Sequence, residues 1–517
     1  CNDHIFTLHS IIKSRQIRNQ DTFVTYVDFS KAFDGLNRTM LMYKILANGI
    51  DGKMYFILKT LYTRTVSCVD INGKRTDWFP TLLGVRQGDS VSPTIFNIYI
   101  NDLAEGIKNL KKGIQVGQDN ISVLMYADDV ALVAGSEEEM QAILDYVNDW
   151  CHRWQMKINM GKSKVMHFRK KDTPRSKFVF KLGEKAVDFV EFYKYLGVFL
   201  DEFLNFDKHS EVMSVSGTRA LGSIIATSRK IQNIGFNAFS RLFESSVLPV
   251  INYGSEVWGY KSISMSDNVQ LKAIRSFLGV HKFAPNLAIQ GDMGWVPNTI
   301  LRKINVLRYW NRVLLMDSSR TTKKVFNQEY MLNRRGTWCF YVKKIFESIG
   351  MGHVYNSQVN CDLKDCTTKL FDSFKRKWKE DISKLPKLRT YVQIKDEFET
   401  EKFTKMNLEK SCRSLLAQLR VGILPLHIEV GRFQNKKVED RTCCICKTDQ
   451  VEDECHFVFE CEAYSVDRDT FLKEIGPIDP GYNTNPLRLK YLFEHDAHKL
   501  AKFISKIFNT RKNTLYN

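Results

Sequence analysis

Two short apolar runs that meet at a pair of acidic residues stand out in the chain. Residues 123–133 read VLMYADDVALV. Apolar runs of four to six residues on either side of a polar turn are typical of strands, so the pattern predicts a β-hairpin with Asp128 and Asp129 at its tip. Aspartate is common in ordinary turns, but adjacent carboxylates repel each other and a divalent cation relieves that repulsion. Both interpretations stay open on this segment alone.

A third carboxylate follows a similar apolar run upstream. Residues 23–34 read FVTYVDFSKAFD, a strand-like run that ends at Asp28 and is followed by a helix-like segment. If this strand and the hairpin pair within one sheet, Asp28 converges with Asp128 and Asp129. A shared carboxylate set of this kind can hold two Mg²⁺ ions about 3.5–4 Å apart for phosphoryl or nucleotidyl transfer. Hard oxygen ligands favour Mg²⁺ or Mn²⁺ over zinc.

Between these segments a polar loop leads into an apolar helix-like stretch. Residues 83–93 read LGVRQGDSVSP, and TIFNIYINDLA follows. Ser92 and Pro93 are typical of a helix start, Gly88 permits close approach to a ligand, and Arg86 and Gln87 are polar contact groups. A loop that feeds a helix N-terminus suits an anionic substrate, although on this segment alone a plain loop-to-helix junction is the better explanation.

The pattern after residue 201 is mainly helical. Helix-like periodicity covers residues 218–232, 238–246 and 269–278, and the proline-containing stretch 281–298 predicts a loop at a junction. Residues 369–389 contain eight basic and three acidic side chains, with apolar residues at helical spacing at Leu370, Phe374, Trp378 and Leu385. This predicts an amphipathic helix whose basic face either binds nucleic acid or is simply solvated.

A cysteine- and histidine-rich segment near the end predicts a metal site. Cys443, Cys446, His456 and Cys461 have the spacing C-x2-C-x9-H-x4-C. Three thiolates and one imidazole make a closed tetrahedral Zn²⁺ site, which would fold this small unit. Disulfides are the alternative, and Cys444 and Cys455 are further potential ligands.

Composition agrees with a nucleic-acid partner without specifying one. Among 517 residues, 76 Lys and Arg oppose 58 Asp and Glu, giving a net charge of +18. Such a surplus of positive charge is typical of a protein that binds along a phosphate backbone. The length allows several domains. The sequence has neither a run of 18 apolar residues nor an apolar leader, so it predicts an intracellular protein without a membrane partner. No Ser/His/Asp or cysteine nucleophile arrangement is apparent.

Five motifs in order resemble motifs A to E of reverse transcriptases, in particular those of non-LTR (LINE-like) retrotransposons. They are DFSKAFD (28–34), RQGDSVSP (86–93), YADD (126–129), INMGKSK (158–164) and FYKYLGVFLD (192–201). The likeness spans residues 1–205 and extends more weakly to SSVLPVINYGSEVWG at 245–259. Because the chain begins at Cys1 inside a helix-like segment, and this family places part of the fingers earlier, an amino-terminally truncated chain is expected.

The resemblance implies roles for the residues around the carboxylates. Asp28 and Asp128 would hold two Mg²⁺ ions, or Mn²⁺, with Asp129 in support, and the Phe29 carbonyl could complete a metal shell. Phe33 would lie against the sugar C2′ and exclude ribonucleotides, although a buried aromatic residue is the alternative.

Further roles follow from the other motifs. Gln87 and Gly88 would line the incoming nucleotide, with Tyr126 also at the substrate, and Arg86 would touch template or triphosphate. Lys162 would approach the leaving pyrophosphate, with Lys164 as a rival. Gly197, together with Tyr195 and Leu196, would lie in the hairpin that grips the primer.

The resemblance implies an α+β right-hand polymerase fold with an antiparallel palm sheet. The expected domains are partial fingers and palm (1–205), a helical thumb (206–298), a helical basic extension (299–440), a zinc knuckle (441–465) and a helical tail (466–517). The implied activity is RNA-directed DNA synthesis of a LINE-like element, with an RNA template, DNA primer, target DNA and dNTPs, in the nucleus.

Two alternatives remain at this stage. An intron maturase lineage is disfavoured by the zinc pattern. A degenerate or domesticated relic that binds RNA or DNA without polymerising is disfavoured by the three intact carboxylates. Oligomeric state is left open.

Overall fold

The computed structural model of the protein describes residues 1–231 and 234–516. The chain forms two compact units. Unit 1 comprises residues 1–209, 256–260 and 308–360, and unit 2 comprises residues 210–255, 261–307 and 361–517.

The strands are short and lie within the first 201 residues. They are β1 Thr22–Val27, β2 Val66–Ser67, β3 Asp70–Ile71, β4 Lys74–Arg75, β5 Phe79–Pro80, β6 Ile114–Val116, β7 Asp119–Ile121, β8 Val123–Tyr126, β9 Asp129–Ala134, β10 Lys164–Phe168, β11 Lys181–Leu182, β12 Lys185–Ala186, β13 Phe192–Tyr195 and β14 Val198–Asp201.

Helices make up most of the remaining regular structure. The first are α1 Asn2–Ile17, α2 Arg38–Ala47, α3 Gly52–Tyr62, α4 Ser92–Asn109, α5 Glu137–Trp154, α6 Asp207–Lys230, α7 Phe236–Ser246, α8 Leu248–Ile251, α9 Ser255–Trp258, α10 Ser264–Leu278, α11 Asn286–Met293 and α12 Asn298–Leu314. The others are α13 Thr321–Leu332, α14 Trp338–Ser348, α15 Gly352–Asn356, α16 Leu363–Ser383, α17 Tyr391–Ile394, α18 Lys402–Lys405, α19 Lys410–Arg420, α20 His427–Phe433, α21 Ser465–Ile475, α22 Asn485–His495 and α23 Ala497–Tyr516.

Unit 1 is organised around a four-stranded antiparallel sheet with the order β10-β1-β9-β8. All six residues of β1 are buried, as expected for a central strand covered on both faces. The apolar side of α4, including Phe96, Tyr99 and Leu103, packs in the same core as Val130 and Leu132 of β9. The mixed α+β class, the hairpin at 123–133 and the helix start at Ser92 are confirmed.

Unit 2 is helical with one large apolar core. Three helices predicted from periodicity are confirmed as parts of α6, α7 and α10, although each starts earlier than predicted. The prediction for 218–232 ends at Gln232, which lies outside the described residues. Over the ranges that the structure describes, no helix has both the length and the apolarity to cross a membrane.

Two local predictions were wrong, and the bounds of a third, the amphipathic helix at 369–389, need correction. The segment after Asp28 forms turns rather than a helix, because Lys31 adopts φ 50° and the next helix, α2, begins only after its cap at Asn37. The Asn37 side chain accepts hydrogen bonds from the amides of Thr39 (2.9 Å) and Met40 (3.2 Å), which fixes that start.

The stretch 281–298 is not a continuous loop, because α11 lies inside it. Ala288, Ile289 and Met293 of this helix are completely buried in the unit 2 core. The amphipathic helix predicted at 369–389 is α16, which begins earlier at the cap Asp362 and ends at Ser383. Leu385 therefore lies beyond the helix and is 37% exposed rather than packed on the apolar face.

Candidate active site and metal centre

The register of the sheet brings the three aspartates together. Val27 pairs with Val130 across β1 and β9, so Asp28, the next residue, emerges beside Asp129. Tyr126 pairs with Asp129 across the hairpin, which leaves Ala127 and Asp128 as a two-residue turn. Convergence of the three carboxylates thus follows from antiparallel pairing of two neighbouring strands.

The electrostatics of this cluster favour a cation. The pKa of Asp129 is raised by partial burial and then by the negative charges of Asp128 and Asp28. Lys162 places its Nζ 3.8 Å from Asp28 Oδ2, but its side chain is 70% exposed and screens the cluster weakly. Ala127 adopts φ 52°, a left-handed conformation that costs a non-glycine residue about 1–2 kcal/mol and is often found next to functional groups. The three carboxylates supply the hard oxygen donors that a divalent ion such as Mg²⁺ prefers.

The backbone of Asp28 is fixed by the segment that precedes β10. Its amide donates to Ser163 Oγ (3.1 Å), and its carbonyl accepts from the Asn159 amide (2.8 Å). These two anchors hold Asp28 at the strand end independently of any ligand. Neither Asn159 nor Ser163 carries a signal in the sequence other than its position within the motif INMGKSK.

The carboxylates of Asp28 and Asp128 open into a cavity of about 510 Å³, whose lining does not include Asp129. Its lining includes Asp28, Phe29, Phe33, Asp34, Gln87, Asp128, Asn159 and Lys162. The Phe33 ring is half-buried and stacks on Phe96 with centroids 4.5 Å apart, while Gln87 Nε2 donates to Asp34 Oδ1 at 2.9 Å. The structure therefore brings four of the predicted neighbours, namely Phe29, Phe33, Gln87 and Lys162, to the carboxylate cavity.

Other predicted contact residues lie outside the cavity lining. Arg86 donates to the Leu61 carbonyl at 2.9 Å, and Lys164 pairs with Asp188 at 2.7 Å. Gly88 adopts φ 86° with open space where a Cβ would stand. Tyr126 is 46% exposed and contacts the His4 ring edge-on at 5.9 Å.

The hairpin formed by β13 and β14 packs beside the aspartates. Leu196 and Gly197 form its two-residue turn, both with positive φ, as tight hairpins require. Tyr193 stacks on Tyr26 with centroids 4.1 Å apart. Burial, with the charges of Asp28 and Asp129, raises the pKa of Tyr193 to about 12, which places this hairpin within electrostatic range of the cluster.

In unit 2 the four predicted soft ligands converge. One ligand atom each from Cys443, Cys446, His456 and Cys461 lies within 4.8 Å of the others. Cys443 Sγ is 3.9 Å from Cys461 Sγ, and Cys446 Sγ is 3.5 Å from His456 Nε2. All twelve cysteines are free thiols in this structure, and none of them forms a disulfide in it.

The donor chemistry fits a bound metal. A hydrogen bond from Cys461 lowers the pKa of Cys443 to about 3, so that thiol is ready to ligate as the thiolate. Burial opposes protonation of His456, but the thiols of Cys443 and Cys446 raise its pKa to about 9. His456 Nδ1 lies 3.0 Å from Gln450 Oε1, which orients the ring as an outer partner of a ligating histidine does.

This segment is built into the unit 2 core. Cys443, Cys461, Phe457 and Val458 are buried among the apolar residues of that core. The acidic residues before His456 are also internal: Glu452 forms two bonds to Arg511 (2.7 and 2.8 Å). Glu454 accepts from Arg389 (2.6 Å) and Thr390 (2.7 Å).

Cys444 and Cys455 lie outside the four-residue set. Cys444 forms a second cluster with His427 and Glu452. In that cluster Glu452 is already engaged by Arg511, and His427 Nδ1 lies 2.7 Å from the Thr442 carbonyl. The first cluster is therefore the better candidate for a metal.

Comparison with known proteins finds a family match that covers the sheet of unit 1 and continues into the first residues of unit 2. Residues 3–235 match the family model described as reverse transcriptase (RNA-dependent DNA polymerase). An RNA-directed DNA polymerase from the mobile element jockey of Drosophila melanogaster is 24% identical over 280 residues, covering 52% of this chain and 30% of that protein. A Pol polyprotein from the type-1 retrotransposable element R2 of Popillia japonica is 25% identical over 202 residues, covering 38% of this chain and 33% of that protein.

Among solved structures, apo telomerase from Candida tropicalis aligns at 11% identity with a TM-score of 0.33, covering 63% of this chain and 56% of that chain. A similarity this low carries no inference here. The matched part of this chain spans about a third of the length of the curated relatives above. Residues 3–235 therefore match the reverse transcriptase family, and the relatives reported above are proteins of mobile and retrotransposable elements.

Proposed function

We propose that the protein is an RNA-directed DNA polymerase that extends a DNA primer on an RNA template with dNTPs. The observation that carries this proposal is the convergence of Asp28 and Asp128 in a cavity that Phe33 and Gln87 also line, with Asp129 close enough for its pKa to be raised by both carboxylates. An ordinary acidic turn would not need a second strand to deliver a third carboxylate to the same place.

Asp28, Asp128 and Asp129 would hold two Mg²⁺ ions, with Mn²⁺ as a possible substitute. Bound there, the ions would make the primer 3′-hydroxyl more acidic and neutralise the triphosphate. The 3′-oxygen attacks the α-phosphorus of the dNTP, the bond to the β-phosphate bridging oxygen breaks, and pyrophosphate leaves. The protein forms no covalent bond to substrate, so its contribution is positioning and charge.

Each cavity residue has a defined task in this scheme. The fixed backbone of Asp28 sets where its carboxylate stands. Lys162, with an exposed ammonium near Asp28, is placed to compensate charge on the departing pyrophosphate. Phe33, supported by Phe96, would exclude a ribose 2′-hydroxyl.

The remaining predictions belong to the same proposal. Residues 1–205 would serve as palm and partial fingers, 206–298 as thumb, 299–440 as a basic extension, 441–465 as a zinc knuckle and 466–517 as a tail. Zn²⁺ on Cys443, Cys446, His456 and Cys461 would be structural, since no donor position is left for a substrate. Action on target DNA would place the protein in the nucleus.

Primer extension on an RNA template with Mg²⁺ and dNTPs tests the proposal. Asp128→Asn keeps the side-chain shape and removes one charge, so extension should fall by about 10²-fold or more if the carboxylate acts on the metals. Asp149→Asn is the matched control, because Asp149 is an exposed carboxylate on α5 outside the cavity. A folded protein that binds RNA yet extends no primer with either metal would point instead to the non-polymerising relic.

A further inference from the structure

Helix α16 presents four cations in five residues. Lys375, Arg376, Lys377 and Lys379 surround Trp378, which is 1% exposed. The Trp378 indole donates to the Leu287 carbonyl at 2.9 Å, and its ring meets Phe398 edge-on at 5.2 Å. This anchor fixes the rotation of the helix, and in that orientation Arg376, Lys377 and Lys379 are exposed while Lys375 is half-buried.

The remaining basic residues of segment 369–389 are neutralised. Their ion pairs are Lys369 with Asp365 (2.8 Å), Lys384 with Asp381 (3.3 Å), Lys387 with Glu429 (2.6 Å) and Arg389 with Glu454 (2.6 Å). By contrast, across residues 1–231 and 234–516 no carboxylate lies within 4.0 Å of the four cations around Trp378. A helix face that contacts only water gives no physical reason for the basic residues of one segment to divide into ion-paired and unpaired groups.

A second helix adds to the unpaired charge. Lys303 on α12 is half-buried, and its pKa is lowered first by burial and then by the positive charge of Lys377. Asp372 and Glu380 lie one helical turn on either side of Arg376, but neither forms an ion pair with it. Five cations thus face two carboxylates, and the mutual repulsion of the cations would be relieved by an added anion.

We propose that Lys303, Lys375, Arg376, Lys377 and Lys379, here called the α16 patch, form a binding site for the phosphate backbone of double-stranded nucleic acid. Lys375 and Lys379 are about 6 Å apart along the helix axis, a distance that corresponds to roughly two phosphates of one strand. The site recognises the charge and the spacing of phosphate groups, so its binding is independent of base sequence. The proposal deepens the proposed function and rests on it for the identity of the duplex.

The test is the salt dependence of duplex binding by the full chain. Fluorescence anisotropy follows binding of two unrelated DNA duplexes and one RNA–DNA hybrid from 50 to 200 mM NaCl. The variant K375Q/R376Q/K377Q/K379Q should weaken binding at least tenfold. It should also reduce the slope of log K against log salt by about 0.9 for each lost phosphate contact. The control K369Q/K384Q removes two charges of the same segment that are already paired, and it should leave the slope within one contact of wild type.

Chemical footprinting gives a readout that does not depend on substitution. Bound duplex should protect Lys375, Lys377 and Lys379 from acetylation and leave Lys369 and Lys384 reactive. Equal slopes for the quadruple variant and the control, together with unprotected patch lysines, would overturn the proposal. Binding to phosphatidylserine vesicles without binding to duplex would also overturn it.

The outcomes separate the patch from polymerisation. If the chain extends no primer but the quadruple variant has a smaller slope of log K against log salt, the proposal for the α16 patch is supported and the polymerase proposal fails. If primer extension is normal and the quadruple variant has the same salt-dependence slope as wild type, the polymerase proposal is supported and the proposal for the α16 patch fails.

Discussion

The buried ammonium of Lys44 is expected to make the stability of unit 1 depend on pH. Its ammonium is buried between α2, α4 and α5, with Nζ 2.7 Å from Asp102 Oδ1. Three ring centroids surround the same atom, those of Tyr99 (4.4 Å), Trp150 (4.5 Å) and Trp154 (3.8 Å). Burial lowers the pKa of Lys44 to about 8, although Asp102 opposes this shift.

The sign and size of the effect follow from this pKa. In the unfolded chain Lys44 titrates near its ordinary value of 10.5, so between pH 8 and pH 10.5 the unfolded state binds more protons than the folded state. Stability therefore rises with pH through this window, and the Lys44 contribution is least favourable below pH 8. The full difference is about 3 kcal/mol, of which roughly 1 kcal/mol appears between pH 7 and pH 9. Attraction of the ammonium to the three rings favours the charged form, so these are upper values.

Lys44→Met removes the titrating group at nearly constant volume. Hydrogen exchange of peptides from α2, α4 and α5, corrected for intrinsic rates, gives the opening free energy of this region at each pH. Wild type should gain about 1 kcal/mol relative to Lys44→Met between pH 7 and pH 9. Lys108→Met, which removes an exposed ammonium from α4, should track wild type. A pH-independent difference between wild type and Lys44→Met would refute the argument, because it would mean that the folded protein keeps Lys44 charged throughout.

Three further predictions concern the cavity and the metal segment. Phe33→Val should raise ribonucleotide incorporation in primer extension, and the lost packing against Phe96 should lower stability by about 1–2 kcal/mol. If the variant still discriminates between deoxyribonucleotides and ribonucleotides as wild type does, Phe33 is an ordinary core residue. Arg511→Met should lower the free energy of unfolding of unit 2 by about 3–5 kcal/mol in denaturant unfolding, because it leaves the Glu452 carboxylate buried and unpaired. The double variant Arg511→Met/Glu452→Gln should recover most of this loss of stability. A double variant as unstable as Arg511→Met would contradict the ion-pair explanation. Cys461→Ser should abolish metal binding measured by elemental analysis and expose residues 361–516 to proteolysis, whereas Cys455→Ser should retain the metal.

The carboxylate cluster could be predicted because its signals are local. Apolar runs around Asp128 and before Asp28 define strands, and only their pairing had to be assumed. The anchors of Asp28 could not be predicted in the same way. Asn159 and Ser163 act through single hydrogen bonds over more than 130 residues, and a polar residue in a loop carries no sign of such a contact.

Tertiary burial explains the elements that were missed. The segment around α11 contains proline and glycine residues typical of a loop, yet Ala288, Ile289 and Met293 become helical because they fill the unit 2 core. In the same way, Glu452 and Glu454 look like solvated charges in the sequence. Each is at most 2% exposed and pairs with an arginine about 60 residues away.

These ion pairs change what a ligand substitution in the metal segment can show. Glu454 holds Arg389 and Thr390, which directly follow the region of α16, and Glu452 holds Arg511 on α23. Loss of the metal would therefore release contacts to two helical regions and open the core that contains Cys443 and Cys461. Weaker nucleic-acid binding after such a substitution would arise from disorder of unit 2, including the support of the α16 patch. Only a variant that keeps unit 2 folded, such as the glutamine substitutions on α16, separates direct contact with nucleic acid from structural support.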